Sequence, residues 1–197
     1  MHLYFCSRCC EILIAIIALL IFCFMKRLFF VVLILSTSIM AMGQDVNSQV
    51  VDEKTGHLML IGEVNRQGME NMGTWFSDEY EAYQPQADVM AEIKSLNADF
   101  PHVFIVMGTW CSDSREQVPH FYKLMDAIDY PDSQVFVVGV NREKKADNFC
   151  LGDFDIHLVP TFIFTRDGKE IGRIVESPSI TLEHDLLNIL LGPASIH

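Results

Sequence analysis

Two short apolar runs constrain the fold of this chain more than any other feature. They are Val103–Met107 and Val135–Val140, and continuous apolar runs of this length indicate strands that are buried on both faces of a sheet. Between them, Ser112–Ile128 carries its apolar residues at helical spacing and contains Pro119. A helix between two buried strands predicts a parallel βαβ unit whose helix packs against the sheet.

Further elements flank this unit on both sides. Thr161–Thr165 and Glu170–Val175 are joined through Asp167-Gly168, a pair that favours the positive φ angles of a tight hairpin turn. The other expected elements are a strand at Leu58–Val64, a helix or packed loop within Met69–Pro85, helices at Ala87–Asn97 and Thr181–Leu191, and an irregular Asn141–Asp155 with a short helix near Lys144–Phe149. This pattern predicts an α/β fold in which a central mixed β-sheet is flanked by helices on both faces.

The first 43 residues differ in composition from the rest. They are almost continuously apolar, with Lys26 and Arg27 as the interruption. From Met25 the chain has a basic start, an apolar stretch and then Ala41-Met42-Gly43, which is the form of a secretory signal peptide. We therefore expect synthesis to begin at Met25 and cleavage to follow Gly43. The alternative is an uncleaved membrane anchor over 1–43. Both alternatives place the rest of the chain outside the cytoplasm, in the periplasm or secreted.

The remainder of the chain is acidic and has the size of one domain. Residues 44–57 are polar, and we expect a flexible lead-in there, followed by a single domain at 58–197. Without Arg8, Lys26, Arg27 and Glu11, the chain has 11 basic and 25 acidic residues, a formal charge of −14. Nucleic acid is excluded as a partner, because binding phosphates requires a basic face. Membrane contact is expected only through the N-terminal segment, if that segment is retained.

Only two cysteines lie in the expected domain, Cys111 and Cys150. A domain of this size can be stable without disulfides, so the two thiols form one bridge or at least one of them does chemistry. The other four cysteines belong to the N-terminal segment, at positions 6, 9, 10 and 23. Cys6-x-x-Cys9 has metal-like spacing but no second pair or histidine cluster. We therefore expect no metal and no cofactor.

The residues around Cys111 carry a family resemblance. A buried strand ends in Gly108-Thr109-Trp110-Cys111, Pro119 follows in the next helix, and Val159-Pro160-Thr161 precedes the hairpin. In this combination the chain resembles the thioredoxin superfamily over roughly Val103–Leu191. Its W-C-x-D-S motif at 110–114 is similar to that of exported, thioredoxin-like bacterial proteins. The resemblance implies the thioredoxin fold and thiol–disulfide exchange, with Cys111 as the nucleophile.

The physical setting of Cys111 agrees with that resemblance. At the first turn of a helix, a cysteine faces unpaired backbone N–H groups and the positive end of the helix dipole, which favour the reactive thiolate. Arg115, one turn further on, is expected to assist, and Asp113 to oppose. Trp110 is expected to shield one side of the sulfur. The resemblance also implies a cis-proline at Val159-Pro160, facing Cys111 and forming with Thr161 a backbone edge that binds peptides.

Two departures from the family pattern change the expected chemistry. Thioredoxins carry a second cysteine three residues after the first, and Ser114 holds that place here; their buried carboxylate is replaced by Ile105. A serine cannot attack a mixed disulfide, so the expected mechanism is monothiol, with Ser114 hydrogen-bonding the thiolate. Cys150 is either a resolving thiol or a bystander. The expected partners are protein or low-molecular-weight thiols and disulfides. The alternative is a redox-inactive module of the same fold that binds peptides or partner proteins.

Overall fold

The computed structural model describes residues 21–22, 24–27, 45–96, 100–146 and 149–192. The chain divides into two units, Met1–Gly43 and Gln44–His197. In the first unit, residues 21–22 and 24–27 are helical. No helix among the described residues combines the length and apolar character that crossing a bilayer requires. The rest of the predicted signal peptide or anchor, including the cleavage point after Gly43, lies outside the described residues.

Six strands form one mixed sheet in the second unit. They are β1 (Ser48–Val51), β2 (Leu58–Val64), β3 (His102–Met107), β4 (Val135–Gly139), β5 (Thr161–Arg166) and β6 (Lys169–Val175). Their order across the sheet is β1-β2-β4-β3-β5-β6. β3 and β4 are parallel, and the other neighbouring pairs are antiparallel. The predicted βαβ unit and hairpin are both confirmed, and the φ angles of Asp167 (52°) and Gly168 (72°) are both positive.

In the described residues of the second unit, five α-helices accompany the sheet. They are α1 (Arg66–Glu70), α2 (Trp75–Ala82), α3 (Ala87–Ser95), α4 (Ser112–Ala127) and α5 (Leu182–Leu191). α2 packs against α4, α3 packs against α5, and α5 also contacts α4 and β6. α5 begins where the sequence predicts, because the Thr181 side chain caps it by accepting a hydrogen bond from the His184 N–H.

The two faces of the sheet are covered differently. Alternate residues of β3 point to opposite faces: Val103, Ile105 and Met107 join the main core together with all five helices, whereas Phe104 and Val106 belong to a second cluster. Among the described residues, this second cluster is completed by side chains from the irregular segment after β4 instead of by an α-helix. The mixed sheet of a thioredoxin fold is thus confirmed, but an irregular segment covers the face where a second helix layer was expected.

Two segments differ from the expectations set by the sequence. The predicted lead-in at 44–57 contains β1, which pairs with β2 from Ser48↔Ile61 to Val51↔Leu58. β1 lies at the sheet edge with half of its residues exposed, so its sequence lacks the apolar signal of a buried strand. The short helix expected near Lys144–Phe149 lies partly outside the described residues, and on either side of that gap Ala146 and Phe149 form an isolated β-bridge.

Candidate functional site

Cys111 occupies the N-cap position of α4, a helix of 16 residues. Its backbone is extended (φ −95°, ψ 130°), and its carbonyl accepts the first helical hydrogen bond from the Arg115 N–H at 3.1 Å. The Cys111 N–H donates to the Gly108 carbonyl at 2.8 Å, which closes the turn between β3 and α4. The residue is half-buried. The predicted position of the thiol at the amino end of a helix is therefore confirmed.

The Cys111 sulfur lies beside the cis-proline. The Val159-Pro160 peptide bond is cis, as the resemblance implied, and Cys111 Sγ lies 3.3 Å from the Val159 carbonyl oxygen, to which the thiol donates. Asp113 Oδ2 is 4.0 Å from the sulfur. Residues that are 48 positions apart in sequence thus meet at the carboxyl end of β3.

Ser114 stands where the second thiol of a thioredoxin would be, and it is fully buried. Its hydroxyl oxygen accepts a hydrogen bond from the Gly108 N–H at 3.2 Å. The predicted contact between Ser114 and the thiolate is thus replaced by a contact with the turn before the helix. The physical reason is that Gly108 follows the end of β3, where its N–H needs an acceptor outside the sheet.

The predicted peptide-binding edge is covered by protein. Val159 is 3% exposed and Thr161 is 1% exposed, and Pro160 is also buried. The Pro160 carbonyl accepts from the Glu176 N–H at 2.7 Å, and Thr161 Oγ1 donates to the Leu158 carbonyl at 2.7 Å. These residues enclose one side of the sulfur, and their part in binding a substrate stays a prediction.

Trp110 is fixed in place from two directions. Its indole Nε1–H donates to the Val140 carbonyl at 2.8 Å, and the Arg142 guanidinium lies 4.8 Å from the centre of the ring, within the range of a cation–π interaction. The ring also lies against the Gly108 backbone, since a Cβ added there would be 2.6 Å from indole atoms. A glycine at position 108 is therefore required by this ring position.

A buried carboxylate holds Arg142 over Trp110. Asp52 is 3% exposed and follows directly after β1. It accepts from Arg142 Nε at 3.0 Å and from Nη2 at 2.7 Å, and Thr55 Oγ1 donates to it at 2.7 Å. Such two-point contact between guanidinium and carboxylate fixes the orientation of both groups. No sequence pattern indicates this pair, because its members are 90 residues apart and neither belongs to a motif.

The pKa shifts of Asp52 and Arg142 both favour the charged forms of the two side chains. The hydrogen bonds from Arg142, followed by the one from Thr55, hold the pKa of Asp52 well below its ordinary value. The same hydrogen bonds to Asp52 raise the pKa of Arg142, with smaller contributions from the charges of Glu143 and Cys111. Arg142 is therefore a permanent cation next to Trp110.

Arg115, the cation that the sequence predicts beside the thiolate, has its guanidinium at the Trp75 ring. Arg115 is exposed, and its guanidinium lies 5.5 Å from the centre of the Trp75 ring. Asp113 does lie near the sulfur, as predicted. No sequence signal indicates Arg142, the second cation near the site, and the effect of Arg115 on the thiolate stays a prediction.

Cys150 is an exposed free thiol, and Cys111 is free as well, so the alternative of a bridge between them is not what the structure shows. The neighbours of Cys150 in sequence, Phe149 and Leu151, pack on the same cluster as Trp110 and Cys111. The role of Cys150 as a resolving thiol stays a prediction. In the described part of the chain, no group of three or more His, Cys, Asp or Glu side chains is placed to hold a metal ion.

Comparisons with known proteins agree with this geometry. No family model matches the chain. The chain is 28% identical to mitochondrial thioredoxin-3 of Saccharomyces cerevisiae over 82 residues, 42% of this chain and 60% of that protein. It is 30% identical to mitochondrial thioredoxin O of Oryza sativa subsp. japonica over 83 residues, 42% of this chain and 45% of that protein. The chain thus spans less than two thirds of the length of either relative.

A solved structure, a Pseudomonas aeruginosa protein of unknown function, matches with a TM-score of 0.40 and 12% identity. The match covers 64% of this chain and 81% of that one.

A mixed sheet with a cysteine at a helix amino end, facing a cis-proline, defines an α/β protein of the thioredoxin-like class. Together with the sequence relatives, it places the chain in the thioredoxin superfamily.

Proposed function

We propose that the chain is a thiol–disulfide oxidoreductase that works through Cys111 alone. The observation that carries the proposal is the position of the sulfur, half-buried at the amino end of α4 and 3.3 Å from the carbonyl oxygen before cis-Pro160. Ser114, three residues after Cys111, leaves no second thiol at that position, which supports the monothiol form of the mechanism.

The reaction has two exchange steps. In the first, the Cys111 thiolate attacks one sulfur of a substrate disulfide, so that the substrate S–S bond breaks, a mixed disulfide forms on Cys111, and the other substrate sulfur leaves as a thiolate. In the second, an external thiolate, or a second cysteine of the substrate itself, attacks the mixed disulfide and releases Cys111 as a thiolate. Electrons pass only between thiols and disulfides, and no cofactor takes part.

The surroundings of the sulfur support the first step. The helix amino end presents backbone N–H groups and the positive end of the dipole, which favour a negative sulfur. The Arg142 cation, held by Asp52, acts in the same direction, whereas the Asp113 carboxylate at 4.0 Å opposes it. The substrates in this proposal are protein or low-molecular-weight disulfides.

We also propose that the protein works outside the cytoplasm, because residues 25–43 have the form of a secretory signal. Intact mass of the protein recovered from its own cells tests this part. Loss of the residues up to Gly43 is expected, and a chain that still starts at Met1 in the cytoplasm would contradict it.

The activity is tested by trapping the mixed disulfide. A peptide disulfide is mixed with the full chain, the reaction is quenched with acid, and the mass of the tryptic fragment containing Cys111 is measured. The adduct is expected on Cys111 in the unchanged chain and in Cys150→Ser, and no exchange activity is expected in Cys111→Ser. Ser114→Cys is expected to add dithiol reduction of insulin. No adduct on Cys111 in the unchanged chain would leave the redox-inactive binding module as the explanation.

A further inference from the structure

A groove lies next to Trp110 and has a volume of about 660 Å³. Its walls come from the segment around β1, from the region between α1 and α2, and from the site residues Thr109, Trp110, Arg115 and Arg142. None of Val159, Pro160 and Thr161 lines it. The cis-proline side of the sulfur is thus enclosed, while the open space adjoining the site lies at Trp110.

The charge of this groove is opposite to that of the domain. Asp52 is the one acidic residue that lines it among the described residues, and that carboxylate is already bound by Arg142. Arg115 makes no ion pair in the described part of the chain, and its guanidinium is exposed at the groove. Two arginines thus give the groove a local excess of positive charge, although the domain as a whole has a formal charge of −14.

The groove also offers apolar and aromatic surface. Trp75 and Trp110 both line it, and each has a guanidinium against its ring, Arg115 at 5.5 Å and Arg142 at 4.8 Å. Small-ligand sites combine apolar walls with a few placed polar groups. Two indoles with two guanidinium groups match a small molecule that has an apolar part and a carboxylate.

We propose that this groove binds the carboxylate-bearing part of a low-molecular-weight disulfide, with Arg115 as its main ionic contact. The inference rests on the proposed function, because the disulfide must react at Cys111. The groove adjoins the thiol along the chain, since its lining residue Trp110 directly precedes Cys111, and Arg115 follows one helical turn later, with its N–H donating to the Cys111 carbonyl at 3.1 Å.

Two disulfide probes that differ in charge test the proposal on the full chain. 5,5′-Dithiobis(2-nitrobenzoate) carries a carboxylate on each ring, and 2,2′-dithiodipyridine carries none. In both cases the Cys111 thiolate displaces an aromatic thiolate and keeps the other half as a mixed disulfide. The rate at Cys111 is taken as the rate of the chain less that of Cys111→Ser, which removes the contribution of the other cysteines.

The expected result is a loss of reaction rate that is larger with the carboxylate probe than with the neutral probe. Arg115→Gln is expected to lower the rate with the carboxylate probe about fivefold and that with the neutral probe less than about twofold, as for the loss of one solvent-exposed ionic contact. The control is Lys123→Gln, which removes the same charge from the same helix outside the groove and is expected to leave both rates unchanged.

Equal losses with both probes would overturn the inference, because Arg115 would then act on the thiol and not on the ligand. No loss with either probe in Arg115→Gln would overturn it as well. Failure of the unchanged chain to react at Cys111 with either probe is a different outcome: it would overturn the proposed function itself, and this inference with it.

Discussion

Arg142 connects more parts of the site than any other side chain described above. It stacks on Trp110, is held by two points of contact with Asp52, and lines the groove together with Arg115. Because Asp52 is buried, its charge is stable there only while Arg142 is in place. The position of the Trp110 ring, and of the chain that leads to Cys111, therefore depends on Asp52, an acidic residue next to β1.

The first prediction concerns pH. Since Arg142 lowers the pKa of Asp52, the unfolded chain binds the proton first as the pH falls. The pair contributes its full stability above the unfolded value of about 3.9, and that contribution is lost progressively at lower pH. Asp52→Asn is expected to lower the free energy of unfolding at neutral pH and to make its decline from about pH 5 to pH 2 shallower, as measured by urea denaturation at several pH values.

The matched control for this prediction is Asp153→Asn. Asp153 is exposed, and among the described residues it has no ion pair. The free energy of unfolding of the Asp153→Asn variant is expected to change with pH as that of the unchanged chain does. An Asp52→Asn profile that also runs parallel to the unchanged chain would show that the pair has no part in acid stability.

At the scale of residues, the sequence predicts the meeting of Cys111 and Pro160 but not the Asp52–Arg142 pair. Cys111 and Pro160 meet as expected, because both belong to segments with local signals: the end of a buried strand, the start of a helix, and a proline before a hairpin. The Asp52–Arg142 pair leaves no such signal, since an ion pair between distant segments has no spacing or period. The Ser114 hydroxyl was assigned to the wrong partner for a related reason: its donor, the Gly108 N–H, becomes available only once the turn has formed.

Among the elements, β4 packs tightly against the backbone of β2 at its last residue. Gly139 at its end pairs with Gly62 of β2, and a Cβ added at Gly139 would lie 2.6 Å from the backbone carbonyl oxygen of Leu60. A backbone atom cannot move aside as the end of a flexible side chain can. The close approach of β2 to β4 therefore requires glycine at 139.

The second prediction follows from this contact. Gly139→Ala is expected to lower the free energy of unfolding by about 1–3 kcal/mol, the usual cost of overpacking a core, as measured by urea denaturation at neutral pH. Gly152→Ala is the control, because no atom of the described residues lies within 4 Å of its added Cβ, and a change within about 0.5 kcal/mol is expected. Equal effects of the two substitutions would contradict the argument.

The elements that the sequence predicts well are those with a strong period or turn. The buried strands β3 and β4, the hairpin of β5 and β6, and the helix α5 all agree closely with the prediction. β1 and the segment after β4 do not, because one is a half-exposed edge strand and the other, in its described residues, covers a face of the sheet without forming an α-helix. Packing of this kind depends on partners that are far away in sequence.

At the scale of the whole molecule, one buried carboxylate joins distant helices. Glu183 in α5 is 1% exposed, and it accepts from Tyr83 Oη at 2.6 Å and from the Gln86 N–H at 3.0 Å. Burial opposes its ionisation, but these hydrogen bonds together hold its pKa below the ordinary value. Residues between α2 and α3 are thereby tied to the last helix of the domain.

The third prediction concerns this contact. Glu183→Gln keeps the shape of the side chain but loses the charge, and one of its two positions becomes a donor facing another donor. A loss of about 1–3 kcal/mol in the free energy of unfolding is expected, measured by urea denaturation at neutral pH. Glu81→Gln, on the exposed side of α2, is the control and is expected to change little. A Glu183→Gln protein as stable as this control would exclude the proposed role.

The place of Asp52 has a consequence for where the working molecule begins. A chain that starts at Leu58, whether through a protease cut or an alternative start codon, would keep every segment that resembles thioredoxin. It would nevertheless lose the acid that anchors Arg142 and one wall of the groove. A truncated chain of this kind would be recognisable by its sequence and would yet lack part of its site.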